Sequence, residues 1–70
     1  MTVFEFTIYL LDKDGKIVDI NETQKRYVVA DTEKSAEAKL DNYRKQMIKD
    51  GYCDFAIIGC ATVEIENVII

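Results

Sequence analysis

Only one stretch of this chain repeats with the period of a helix. Ala36, Leu40, Tyr43 and Met47 recur at spacings of four, three and four, and Ile48 widens the stripe. Nearly all other apolar segments alternate with a period of two, the signature of strands. A chain with one helix and several strands has one way to bury its apolar surface. The helix must lie on one face of a small sheet. The expected fold is therefore α+β, in the order β-β-α-β, with three to four strands in an antiparallel-type sheet. The last strand is either long or split, and one helix packs on one face.

The helix should run from about Thr32 to Asp50. Asp31 or Thr32 caps its first amides, and Glu33 and Glu37 lie where the helix dipole favours negative charge. Arg44, Lys45 and Lys49 load the opposite end, and Gly51 supplies the left-handed residue beyond the cap. Before it, Thr2 to Leu11 alternates cleanly. Phe4, Phe6, Ile8 and Leu10 form the core face, and Val3, Glu5, Thr7, Tyr9 and Leu11 the other. Asp12-Lys13-Asp14-Gly15 makes a turn, with Gly15 providing a positive φ. Read as a calcium loop, it would put Leu10 at the first ligand place and Asn21 at the last. Neither is a carboxylate, so a plain hairpin turn is expected.

The returning strand starts at Lys16–Ile20, with Val18 and Ile20 inward, and resumes at Tyr27–Ala30. The polar stretch 21–26 either bulges one long strand or splits it with a loop, and the long bulged strand is favoured. After the helix, Tyr52 to Glu66 reads as one strand, bent or bulged at Gly59. Phe55, Ile57, Ala61 and Val63 share one parity, and Ala56, Ile58, Cys60 and Thr62 the other. Val68-Ile69-Ile70 follows as an apolar tail. No linker or repeat divides residues 1–70, which form a single domain.

Seventy residues make a small core. Such a chain buries only ~60% of its unfolded surface, and its net stability is ~3–5 kcal/mol unless a disulfide, metal or partner adds to it. There is no histidine, and Cys53 and Cys60 alone cannot complete a zinc site without carboxylates. On one extended strand the two cysteines lie ~23 Å apart, too far to bridge unless the chain folds back at Gly59. No secretory leader or membrane-spanning run is visible, and with reduced thiols a cytoplasmic location is expected. Oligomerisation is left as the source of added stability. The net charge of −4 argues against nucleic acid as a partner.

Chemistry finds little to work with. Neither cysteine has a histidine base, and Ser35 sits in the first helical turn. Tyr9, Tyr27, Tyr43 and Tyr52 lack a basic groove in which to stack bases. Glu64 and Glu66 share a strand face that Glu5 could neighbour. The alternative function is therefore a small-ligand or metal-binding module, its site formed between subunits by these three carboxylates. Otherwise no catalytic residue, metal or cofactor is expected.

The surplus is apolar. One helix covers one face, and the other would carry Val3, Tyr9, Leu11, Ala56, Ile58 and Cys60, extended by Val68 and Ile70 in the tail. This surface points to a non-enzymatic protein-interaction module, homodimeric, meeting a protein partner through its sheet face or edge. The stretch Asp12-Lys13-Asp14-Gly15 followed by Tyr27-Val28-Val29-Ala30-Asp31-Thr32-Glu33-Lys34-Ser35-Ala36 resembles that of small bacteriophage and prophage β-β-α-β accessory proteins, over residues 2–51. The resemblance implies a protein-binding, accessory or inhibitor role and carries no functional residue across.

Overall fold

The chain runs β1 (Thr2–Leu10), β2 (Gln24–Ala30), α1 (Glu33–Lys49) and β3 (Phe55–Val63) in a computed structural model that describes residues 1–63. The three strands form one sheet in the order β2-β1-β3, antiparallel at both interfaces. The first strand is thus the middle one. It is also the strand with the cleanest alternation, because both its neighbours and the helix depend on its phase. β2 and β3 lie on opposite sides of β1 and run parallel to each other, joined by a crossover through α1.

Phe4, Phe6 and Ile8 are buried on the helix side, as their spacing predicts, and meet Ala30, Ala36, Leu40 and Phe55 in one cluster. Leu10, Val28 and Met47 pack around it, half-buried. Each fully buried large side chain, such as Phe6 or Leu40, stabilises the fold by ~1.5–3 kcal/mol. Among the described residues the buried core numbers seven side chains.

The helix begins at Thr32, whose extended backbone and hydroxyl cap it. Thr32 Oγ1 accepts from the Ser35 amide at 3.1 Å. It ends on a Schellman arrangement. The Gly51 amide donates to Ile48 O, the Tyr52 amide donates to Met47 O, and Gly51 takes a φ of 90° that other residues avoid. The stripe is narrower than expected. Ala36 and Leu40 are buried, whereas Tyr43 and Ile48 are 46% and 47% exposed. The reason is the helix's position. It packs mainly on the β2 half of the sheet; toward β3, the Tyr43 ring centroid lies 6.4 Å from that of Phe55 and the Arg44 guanidinium 3.8 Å from Asp54.

The region between β1 and β2 differs from the expected long bulged strand. Residues 16–18 meet the chain at and just past the end of β1 through a short bridge of Leu11 with Ile17, framed by the bonds from the Val18 amide to Leu10 O and from the Asp12 amide to Lys16 O. A second turn follows, in which Asp19 accepts from Asn21 and Glu22, and regular pairing starts at Gln24. Val18 and Ile20 are 59% and 68% exposed rather than inward. Asp19 and Asn21 favour a local turn over a ladder, which breaks the strand into two pieces. In the first turn, Asp12 Oδ1 accepts from the amides of Asp14 and Lys16 at 2.8 and 3.0 Å, and Gly15 has a φ of 79°. That carboxylate is spent on its own turn.

Candidate interaction surface

The sheet face away from the helix is built from cross-strand rows. Val3 stands between Val29 and Val63; Glu5 between Tyr27 and Ala61; Thr7 between Lys25 and Gly59; Tyr9 beside Ala56. The two middle rows are largely polar and internally satisfied. Lys25 Nζ lies 3.4 Å from Glu5 Oε1 and donates to Thr7 Oγ1 at 2.6 Å. Tyr27 stands opposite Glu5, whose carboxylate raises the phenol above its usual range, chiefly as a hydrogen-bond acceptor and also by its charge. The far face is therefore apolar at its two ends and polar across its middle.

Val3, Tyr9 and Ala56 lie on this face as expected, each half-buried, and half-buried Leu11 lies just past the end of β1. Cys60 does not. It pairs with Phe6 and so stands on the helix side. The expected bulge exists, but it changes the phase that was expected to persist. Thr7 pairs with Gly59 and Ile8 with Ile57, leaving Ile58 as the extra residue, 51% exposed. The inversion puts Phe55, Ile57, Cys60 and Thr62 on the helix side, and Ala56, Gly59, Ala61 and Val63 on the other. On that side Cys60 meets the start of α1: desolvation pushes its thiol up, helped by the Glu33 carboxylate as acceptor for the thiol and by the charges of Glu33 and Glu37. Both cysteines are free and exposed.

Because α1 sits over β2, most of β3 beyond Ala56 is open on both sides. Ile57, Ile58, Cys60, Ala61 and Thr62 are all exposed. Between the helix and β3 runs a shallow groove lined by Leu40, Asp41, Arg44, Phe55, Ala56 and Ile57. Asp41 there is held below the usual carboxylate range, chiefly by its hydrogen bond with Lys45, with the charge of Lys45 and the pairing with Arg44 adding to it, against an opposing cost of desolvation.

The strand edges follow from the hydrogen bonds at the end of β1. Leu10 O accepts from Val18 on the β2 side, and the Leu11 amide donates to Asp54 O on the β3 side. Even-numbered residues of β1 thus turn their backbone groups to β2, and odd-numbered ones to β3. Through the registers, the outward groups of β2 belong to Lys25, Tyr27 and Val29. Those of β3 past the bulge belong to Cys60 and Thr62. Two outward carbonyls of β2 already have donors: Lys39 Nζ reaches Val29 O at 2.8 Å, and an Arg26 guanidinium nitrogen reaches Lys25 O at 2.9 Å. Among the described residues, no strand pairs with the outer edge of β3. Phe55–Val63 contains no charged residue at all.

Ile57, Ala61 and Thr62 therefore join the surface, and the signal for them was a charge-free run of nine residues. Val68 and Ile70 lie outside the described residues, as do Glu64 and Glu66. The third carboxylate of the alternative site, Glu5, is engaged by Lys25 and Tyr27. Among the described residues, no helix is long and apolar enough to cross a membrane. Comparison with known proteins finds no matching family model, no matching curated protein and no matching solved structure.

Proposed function

We propose that this chain is a non-enzymatic protein-interaction module that works as a homodimer in the cytoplasm and offers β3 and the adjoining sheet face to protein partners. An accessory or inhibitor role of the phage or prophage kind suits such a module. One observation carries the proposal: a nine-residue strand with no charge, exposed on both faces over its second half, whose outer edge is unpaired among the described residues. Proteins usually blunt such an edge with charge, proline or a covering element. An edge left open is a template for another strand. The small core gives a second reason for association, since a partner adds stability that the chain alone supplies sparingly.

Light scattering behind a sizing column tests it. A mass of twice the 8.0 kDa chain supports it, and a monomer through the micromolar range contradicts it. Ile58→Glu puts a charge on the exposed bulge residue and should weaken the dimer while the circular dichroism stays that of a folded chain. If the chain unfolds instead, Ile58 belongs to the chain's own packing and not to a contact surface.

A further inference from the structure

We infer that the dimer forms by antiparallel pairing of β3 with β3 of a second copy, centred on Ala61, so that two three-stranded sheets become one of six strands. This rests on the proposed self-association and adds its mode.

Given self-association, three observations select the β3 edge over the β2 edge for the second copy. The chain carries a net charge of −4, so two copies repel each other over most of their surfaces. Phe55–Val63 itself carries no charge, so pairing it with a second copy sets no charged side chain of one strand opposite a charged side chain of the other. The nearby carboxylates, Glu5 beside Ala61 and Glu33 and Glu37 beside Cys60, belong to β1 and α1. The other edge fails this test, because pairing β2 with itself would bring together Lys25 and Arg26 of both chains and displace the donors already on Val29 and Lys25. Finally, the outward backbone groups past the bulge belong to Cys60 and Thr62, which are placed symmetrically about Ala61. A two-fold axis through Ala61 sets Cys60 of each copy opposite Thr62 of the other as hydrogen-bonded pairs. Ala61 then faces itself as the close, non-hydrogen-bonded pair. Small residues suit that position. The ladder covers Gly59–Val63 and ends beside Ile58, the exposed bulge residue, so a charge placed at Ile58 still meets the rim of the contact. A two-fold normal to the sheet leaves both helices on the same side.

Two variants test the mode. Ala61→Lys places two ammonium groups face to face at the axis. Within its own chain the same side chain lies opposite Glu5, so the fold tolerates it. Dimerisation should weaken ~tenfold or more. In a chain with Cys53→Ser and Cys60→Ser, Ala61→Cys puts two sulfurs on Cα atoms ~4.5 Å apart, within disulfide reach, and mild oxidation should give a covalent dimer in high yield. The same substitution at Lys25 should not crosslink. A wild-type dimer that survives Ala61→Lys and does not crosslink through position 61 overturns the β3 pairing while leaving self-association standing. A wild-type chain that stays monomeric through the high micromolar range overturns both.

Discussion

Strands β2 and β3 flank the same central strand, run in the same direction and make ladders of similar length, yet their outer edges are finished differently. β2 carries Lys25 and Arg26, has the helix over its half of the sheet, and has side-chain donors on two of its outward carbonyls. Among the described residues, β3 has none of these. Its first residue, Phe55, is buried under the helix, but five of the six residues from Ile57 to Thr62 are exposed. One side of the sheet is closed with the common protective devices, and the other is anchored at one end and left open. The difference teaches that the exposed apolar residues here are a localised feature of one strand rather than a property of the whole far face, where Glu5, Thr7, Lys25 and Tyr27 form a satisfied polar centre.

The strongest way to break this comparison is to release the anchor of β3. Phe55→Ala removes a buried ring and should cost ~3–5 kcal/mol. That is comparable with the whole stability of a chain this size, so urea denaturation should find the variant largely unfolded. Val28→Ala on β2, at a half-buried site, should cost ~1 kcal/mol. Equal losses would mean that the two edge strands are held alike. Next in size is Thr32→Ala, which deletes the cap of the helix that favours β2. A loss of ~1 kcal/mol is expected in the same assay. Lys39→Ala should change stability by no more than ~0.5 kcal/mol, but it uncovers Val29 O. Higher-order association by light scattering should then appear, as β2 becomes a second open edge.

The smallest effect concerns the polar margin of the groove beside β3. Asp41 has a lowered folded-state pKa, so its pairing with Lys45 and Arg44 stabilises the fold above the ordinary value of 3.8. That contribution is lost as pH falls through the lowered value. A carboxyl titration by NMR should place the Asp41 midpoint below 3.8, and Asp41→Asn should remove this part of the acid dependence. A midpoint at or above 3.8 would mean that the groove margin is not organised as described.

How much of this was legible beforehand depended on whether the deciding contact was local. The helix, its Thr32 cap and its Gly51 terminus are written in neighbouring residues and appear as read. The core face of β1 follows from simple alternation. The Asp19 turn was harder, because Val18 and Ile20 have the composition of an inward strand and only the local bonding of Asp19 excludes them. The phase of β3 was hardest. A bulge near Gly59 was readable, but whether it keeps or inverts the alternation depends on where β1 pairs, a contact about fifty residues away in sequence. That one step moved Cys60 to the helix side. The lateral position of α1, which leaves β3 bare, is likewise a packing outcome that no local pattern encodes.

Hydrogen exchange at single amides tests the edge asymmetry most directly. At a concentration where the mass is that of a dimer, the amides of Cys60 and Thr62 should exchange slowly, and those of Lys25, Tyr27 and Val29 should exchange as free edge amides do. On dilution to monomer the protection at Cys60 and Thr62 should vanish while that of β1 persists. Fast exchange at Cys60 and Thr62 in the dimer, or protection appearing on β2 instead, would contradict the account.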